Sequence, residues 1–283
     1  MKKKVFLFGL LFSLLLLCGC GVNLTSTVKL NKGFSGTRVM SCTFSSRDFH
    51  SYFKGSKEDL NKLIKESCPD ALTYTSSSSD GNDAYTFYLR FSSLDDYKKK
   101  VRDLLNFSPE ITYEYGDSPF VSGLIYKENF TSKDLMTWLY TALYEGKYID
   151  KDSSSDLWDL KSTKISFLGK TYETKDKINI DEMAYVPLSS IHIDTKTKKS
   201  GKLARVIEFD LPQQTLDQNA GKIRSYFAGN DITWENTSDG KTLCISFDAN
   251  NFSDLAQKTR TVLHSKNSFG TYSSTCSKDN PFT

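Results

Sequence analysis

The stretch "ALTYTSSSSDGNDAYTFYLRFS" (residues 71–92) reads as two strands around the turn Asp80-Gly81. An Asp-Gly pair between alternating apolar segments is a strong signal of a β-hairpin. A second stretch, "DITWENTSDGKTLCISFD" (residues 231–248), has the same arrangement around Asp239-Gly240. Two hairpins of one kind, far apart in the chain, predict antiparallel sheet in two places.

The first hairpin follows a strand pair and a helix. The strand pair covers residues 23–45, and Gly33 and Gly36 of its turn "NKGFSG" are expected to supply positive φ. The helix covers about residues 56–68, with Ser56 as its N-cap and Asp59 completing a capping box. A second helix is predicted to start at Ser93, after the hairpin. The predicted order is therefore β-β-α-β-β-α.

The C-terminal part of the chain repeats this order. "SIHIDTKTKKSGKLARVIEFDL" (residues 190–211) predicts two strands, and Thr215 with Gln218 predicts the capped start of a helix that ends at Gly229. The second hairpin and a last helix follow. In that helix Leu255 lies 158 residues after Tyr97, an offset shared by several helix positions.

Two interpretations of this similarity stay open at the level of sequence. The chain contains two copies of one module, or any alternating chain of strands and helices gives such a pattern. We predict an α+β fold with two ββαββα-type modules built on antiparallel sheets, at residues 20–115 and 186–283. A mixed strand and helix segment at 116–185 joins them.

The middle segment carries one strongly apolar helix. Thr131 is its predicted N-cap, with Asp134 in the capping-box position. Its apolar stripe consists of Leu135, Trp138, Leu139, Ala142 and Leu143. Such a stripe is usually core packed on a sheet, and if exposed it would be a docking surface. The sequence does not tell whether this segment is its own domain or completes the first sheet.

The N-terminus has the form of a processing signal. Lys2, Lys3 and Lys4 precede fifteen mostly apolar residues, 5–19, which is shorter than the roughly 20 residues of a membrane-spanning helix. The stretch Leu17-Cys18-Gly19-Cys20 resembles the lipobox of bacterial lipoproteins. That resemblance implies cleavage after Gly19 and a diacylglycerol anchor with fatty-acyl chains such as palmitate on Cys20. It places the chain on the extracytoplasmic face of a bacterial cell membrane. The alternatives, an ordinary signal peptide or an uncleaved membrane anchor, also place the chain outside the cytoplasm.

The charge balance bears on the partners of the chain. Its net charge is +3, and 37 basic residues less Lys2, Lys3 and Lys4 leave 34 against 34 acidic ones. A balanced mature chain argues against nucleic acid as a partner. A protein or cell-wall partner, besides the membrane, is the expectation that remains.

Four further cysteines allow disulfides outside the cytoplasm. The favoured pairs are Cys42–Cys68 and Cys244–Cys276, each within one part of the chain, and the alternative is buried free thiols. No metal site is predicted, because the three histidines (His50, His192 and His264) lie far apart and the mature chain has no CxxC.

Catalytic motifs are absent from the sequence, and no cofactor is predicted. The chain has no GxSxG, HExxH, GxGxxG or phosphate-binding loop, and two SxxK matches, at Ser26 and Ser51, lack their companion motifs. Asp181 and Glu182 could form an acid pair if they stood at a suitable separation. Tyr74 and Trp234, at similar places in the two modules, are candidates for stacking on a ligand, or are core residues.

The anchor cysteine, a strand, the turn "NKGFSG" and a second strand together resemble the start of LppM-type bacterial envelope lipoprotein domains. The match covers about 30 residues, and it implies an envelope lipoprotein without implying any catalytic residue. We therefore expect a non-enzymatic binding or envelope-assembly module. The alternatives are the solute-binding receptor of an importer, which would need a pocket between two lobes, and a cell-wall hydrolase.

Overall fold

The computed structural model describes residues 22–45, 53–79, 82–150 and 157–264. Within them the predicted α+β class is confirmed: the strands form three mainly antiparallel sheets, and α-helices accompany them. The strands are β1 (Val22–Leu30), β2 (Gly36–Ser45), β3 (Thr73–Ser79), β4 (Asn82–Phe91), β5 (Ile111–Asp117), β6 (Val121–Glu128), β7 (Trp158–Phe167), β8 (Lys170–Thr174), β9 (Asn179–Asp181), β10 (Ala184–Tyr185), β11 (Ser190–Thr197), β12 (Leu203–Pro212), β13 (Ile232–Asn236) and β14 (Gly240–Ala249). The helices are α1 (Lys57–Ser67), α2 (Leu94–Leu105), α3 (Thr137–Glu145), α4 (Gln213–Tyr226) and α5 (Phe252–Val262).

The chain forms two compact units. The first contains the described residues up to Tyr115 together with Leu124–Glu182, and the second contains Gly116–Gly123 and the described residues from Met183 onward. Each unit has a hydrophobic core of its own.

The first unit is built on a six-stranded sheet with the order β3-β4-β2-β1-β7-β8. β7 comes from the middle segment and pairs with β1 in parallel, whereas the other neighbours in this sheet are antiparallel. The middle segment thus supplies two strands of the first sheet. Buried and unburied residues alternate along β1 and β2, so one face of the sheet packs on the core.

Helix caps in the first unit follow the sequence closely. The capping box of Ser56 and Asp59 is present, and the Ser93 side chain accepts a hydrogen bond from the Asp96 amide. Thr131 and Asp134 also bond reciprocally, but the turn that follows, Asp134–Met136, is a 3-10 turn. The α-helix itself therefore begins only at Thr137, six residues after the predicted cap.

The apolar stripe predicted for this helix, which runs from the 3-10 turn into α3, is core. Leu135, Leu139 and Leu143 are buried, and Trp138 meets Phe87 edge to face with ring centroids 5.3 Å apart. These residues cannot form an exposed docking surface. They instead attach the middle segment to the first core.

The second unit contains the sheet β11-β12-β14-β13, with α4 and α5 packed on β12 and β14. Its first helix does not start as predicted. α4 begins at Gln213, directly after β12, and Pro212 takes the N-cap position with φ −57°. Thr215 lies inside the first turn, where its hydroxyl donates to the Pro187 carbonyl at 2.8 Å. The chain turns from strand into helix without a loop, which leaves no room for a capping residue at Thr215.

The turn between β1 and β2 differs from the prediction. Phe34, not Gly33 or Gly36, has the positive φ, at 55°. Gly36 is required for another reason: a Cβ there would lie 1.9 Å from the Lys29 carbonyl oxygen. Gly240 is equally confined against the Leu211 carbonyl at 2.0 Å. The predicted turn at Asp80-Gly81 lies outside the described residues.

Candidate functional site

β11 is one of the two edge strands of the four-stranded sheet in the second unit, and the more exposed of the two. Its eight residues pair with β12, and no other described strand lies beside it. Seven of the eight side chains are exposed, including Ile191 at 50% and Ile193 at 53%. An edge strand of this kind presents free backbone N–H and C=O groups to which another strand can bind.

The two isoleucines explain why β11 forms where it does. Ile191 and Ile193 lie opposite Phe209 and Ile207 of β12, which face the core. The alternation Ile-His-Ile-Asp therefore has the period of a strand with one apolar face. The helices pack on β12 and β14, so this face of β11 stays open to solvent.

The other face of β11 is polar and ordered by hydrogen bonds. Asp194 and Lys196 form an ion pair at 2.8 Å, and the bond to Lys196 lowers the pKa of Asp194. Asp210 of β12 accepts from Ser190 and from Thr242, at 2.6 Å for the latter, and these bonds lower its pKa. The edge thus offers an apolar row on one side and alternating charges on the other. This arrangement suits recognition of an extended peptide segment.

The predicted stacking residues lie on the core side of their sheets. Tyr74 is partly buried with its ring 5.9 Å from Phe87, and Trp234 is partly buried with the Arg224 guanidinium 5.6 Å from its ring. They belong to different units. Neither residue forms an open aromatic platform.

The predicted disulfide between Cys42 and Cys68 is not formed, since both thiols are free. Cys42 is fully buried on the inner face of β2, whereas Cys68 is the C-cap of α1 and partly exposed. Burial raises the pKa of the Cys42 thiol, which makes it an unreactive core group. Cys244 is also free, and Cys276 lies outside the described residues, as does the proposed anchor Cys20.

The acid pair Asp181 and Glu182 is arranged unlike a glycosidase site. Asp181 pairs with Lys127 at 2.6 Å, and Glu182 accepts from Lys170 at 3.1 Å and Tyr172 at 2.9 Å. Those hydrogen bonds lower the pKa of Glu182, whereas a general acid needs a raised pKa. The SxxK match at Ser26 fails too, because Ser26 is buried on one face of β1 and Lys29 is exposed on the other.

A buried polar cluster in the first unit was not predicted. Arg38 bonds Glu128 at 2.8 Å, Tyr97 at 2.5 Å and Ser132 at 3.0 Å, and Glu128 also accepts from Tyr126. Burial, together with the charge of Glu128, raises the pKa values of both tyrosines. The signal was available, since Arg38 alternates with the apolar Met40, Cys42 and Phe44 on β2.

This cluster is structural rather than catalytic. The Arg38 and Glu128 side chains are 1% and 0% exposed. Three clefts among the described residues, of about 450, 490 and 380 Å³, are lined by other side chains. A substrate therefore has no route to it among these clefts.

The described residues contain no group of His, Cys, Asp and Glu side chains that could hold a metal ion. None of their helices has the length and apolar character needed to span a membrane. No protein-family model matches the chain, and no curated protein is significantly similar to it.

Proposed function

We propose that the chain is a non-enzymatic lipoprotein, anchored through Cys20 to the extracytoplasmic face of a bacterial cell membrane, that binds a partner protein along β11. The observation that carries the binding role is the open edge of β11 with its two half-exposed isoleucines. The lipobox at residues 17–20 supports the anchor.

Strand addition is the binding mode that β11 favours. An extended segment of the partner would hydrogen bond to the free backbone edge, which supplies affinity largely independent of sequence. Apolar residues of that segment would cover Ile191 and Ile193. Asp194 and Lys196, on the opposite face, would select charged residues of the partner.

The proposal includes a duplicated ββαββα module. The strand orders β3-β4-β2-β1 and β13-β14-β12-β11 correspond one to one. Lys100 donates to the carbonyl of Arg90 and Lys258 to that of Asp248, both at 2.8 Å and both shifted by 158 residues. Agreement in topology and in such a bond supports common origin better than the pattern of elements alone. With this offset Tyr74 corresponds to Ile232, so Tyr74 and Trp234 are not equivalent.

The binding role is tested by site-specific photo-crosslinking on intact cells. A benzophenone amino acid would replace Ile193 in one strain and Leu168 in another; Leu168 is 52% exposed on the β7–β8 turn and serves as the matched control. A specific protein adduct from position 193 and none from position 168 is expected. Equal adducts at both positions, or none at 193, would contradict a role for β11.

The anchor is tested separately. Cys20→Ser should abolish incorporation of labelled palmitate and release the protein from the membrane fraction, whereas Cys18→Ser should leave both unchanged. Retention of the label in Cys20→Ser would contradict lipidation at this residue.

A further inference from the structure

The outer face of the first sheet, which points away from the core, contains a continuous row of hydroxyl side chains. The strand registers place Thr75, Thr86, Ser41, Thr25 and Ser162 side by side across β3, β4, β2, β1 and β7. With about 4.8 Å between strands, the row is about 19 Å long. Ser41 and Thr86 bond to each other at 2.6 Å. The row offers donors and acceptors but no charge.

Cationic side chains lie beside this row on the same face. Lys29 and Arg90 stand on either side of Thr37 in one row, and Lys164 lies opposite Thr27 on the neighbouring strand. All three cations are exposed, and none forms an ion pair within the described part of the chain.

Arg90 is held in place by neutral groups: its guanidinium donates to Thr73 at 2.9 Å and lies 5.3 Å from the Tyr88 ring. Glu173 is the register partner of Lys164 on β8. The two rows that carry these cations contain one carboxylate, Glu173, against three cations, so they keep a net positive charge.

We propose that this face binds a phosphodiester-linked polyol polymer. The polyol hydroxyls would hydrogen bond to the row, and the phosphates would pair with Lys29, Arg90 and Lys164. The biological setting, outside the cytoplasm, rests on the proposed function, but binding of the polymer in solution does not. The surface is separate from β11, which lies in the other unit.

The chemistry of the face selects among polymers. Single-stranded nucleic acid shares the phosphodiesters but is bound through aromatic platforms for its bases, and the outward aromatic here, Tyr88, lies under Arg90. A protein partner would need apolar contact area, and Val39 is the main apolar residue among the hydroxyls. A neutral glycan would leave the cations without a partner.

The corresponding face of the second sheet has the opposite character. It carries the carboxylates of Asp194, Glu208, Asp210, Glu235 and Asp248, and within the described residues only Asp194 and Asp248 of these pair with a lysine, Lys196 and Lys198, so the face is net negative. An anionic polymer should therefore avoid it. The first sheet thus has a net positive outer face and the second a net negative one, so the polymer should bind to the first alone.

The test is binding of a synthetic poly(glycerol phosphate) oligomer, labelled for fluorescence anisotropy, to the intact protein in detergent. Replacing Lys29, Arg90 and Lys164 together by Gln should weaken binding at least tenfold and flatten its salt dependence. Replacing Lys62, Lys65 and Lys99 together by Gln changes the net charge equally on α1 and α2, away from the face, and should change affinity less than twofold. Thr25→Val with Thr86→Val should weaken binding about fivefold or more, because each lost hydrogen bond contributes modestly.

Four results would overturn the proposal. The first is that the oligomer fails to bind, and the second is an equal loss of affinity in both triple variants, which indicates nonspecific binding by charge. The third is competition by dextran as strong as that by the oligomer, which indicates a neutral glycan site. The fourth is stronger competition by single-stranded DNA, which indicates a nucleic-acid site. Circular dichroism of each variant checks that the fold is kept. β11 crosslinking reports on the proposed function separately, so either can fail alone.

Discussion

Arg38 is the third residue of β2 and Arg205 is the third residue of β12, and each bonds to the helix that follows the hairpin β3–β4 or β13–β14. Arg38 reaches Tyr97 of α2, and Arg205 reaches Thr259 of α5 at 2.8 Å. Yet Arg38 is fully buried, whereas Arg205 remains partly exposed. The difference in burial comes from β6 of the first unit, because β6 places the carboxylate of Glu128 against Arg38. A charge can be buried only with its counter-charge.

The first strands differ in the same way. β1 lies inside its sheet between β2 and β7, and every second residue is buried. β11 corresponds to β1 in strand order but ends its sheet. The same order of four strands therefore continues into β7 in the first unit and ends at an open edge, β11, in the second.

The largest expected difference is between Leu24→Lys and Ile191→Lys. Leu24 pairs with the seventh residue of β2 and Ile191 with the seventh of β12, but they are 0% and 50% exposed. Leu24→Lys should destabilise the first unit by about 5 kcal/mol or more, because it buries an unpaired charge. Ile191→Lys should change stability by less than about 0.5 kcal/mol. Peptide-resolved hydrogen exchange measures both, and a large cost at Ile191 would show that β11 is covered.

Glu128→Ala should have the next largest effect. It leaves the Arg38 guanidinium buried without its carboxylate, and the expected loss is about 3–5 kcal/mol in the first unit. Arg205→Met, at the corresponding place of the second unit, should cost about 1 kcal/mol or less, since Arg205 has neutral partners and some solvent. Hydrogen exchange of β2 and β12 peptides gives the two values.

A combined variant distinguishes the loss of the whole ion pair from the burial of Arg38 without its counter-charge. Arg38→Met, Tyr97→Phe, Tyr126→Phe and Glu128→Leu together replace the cluster by hydrocarbon, and stability should return to within about 2 kcal/mol of the original. A combined variant as unstable as Glu128→Ala would mean that the cluster itself holds the core together.

The sequence predicted best where a local rule decides the structure. Ser56, Ser93 and the alternation of β2 specify caps and strand faces by themselves. The sequence predicted less where the partner is distant. Glu128 is 90 residues from Arg38, so nothing near either residue announces their pairing. The same holds for β7, whose parallel pairing with β1 joins segments more than 130 residues apart.

The candidate edge was partly predictable. The alternation of apolar and polar residues at 190–197 predicts a strand. Its position at the end of a sheet depends on how all the other strands of the unit pair, which no local pattern shows. Thr215 failed as a cap for a similar reason, because the direct entry from β12 into α4 overrides the local capping pattern.

Alkaline pH should destabilise the first unit more than the second. Burial raises the pKa values of Cys42, Tyr97 and Tyr126, so the folded state keeps protons that the unfolded state releases above about pH 9. The stability these groups contribute is complete below that pH and is lost as the pH rises, by up to about 1.4 kcal/mol per pH unit for each group.

Urea unfolding at several pH values checks this expectation. Trp138 and Trp158 report on the first unit in a Trp234→Phe variant, and Trp234 reports on the second when the other two are replaced. Cys42→Ala should remove the earliest part of the loss. Equal pH dependence in the two units would contradict the role assigned to the buried cluster.

The smallest effect concerns a bond that the two units share. Lys100 pairs with Asp96 at 3.2 Å and Lys258 with Asp254 at 3.3 Å, and each lysine also donates to the strand carbonyl ten residues before it. Lys100→Met and Lys258→Met keep the aliphatic stem and remove the ammonium, so each should cost about 0.5–1 kcal/mol. Lys99→Met, which removes only an exposed pair with Asp103, is the control and should cost less than about 0.5 kcal/mol. If the units contain two copies of one module, Lys100→Met and Lys258→Met should reduce stability equally. The bond from each lysine to the strand carbonyl lies outside the middle segment, most of which belongs to the first unit. A difference above about 1 kcal/mol would mean that the shared geometry no longer has a shared energetic role.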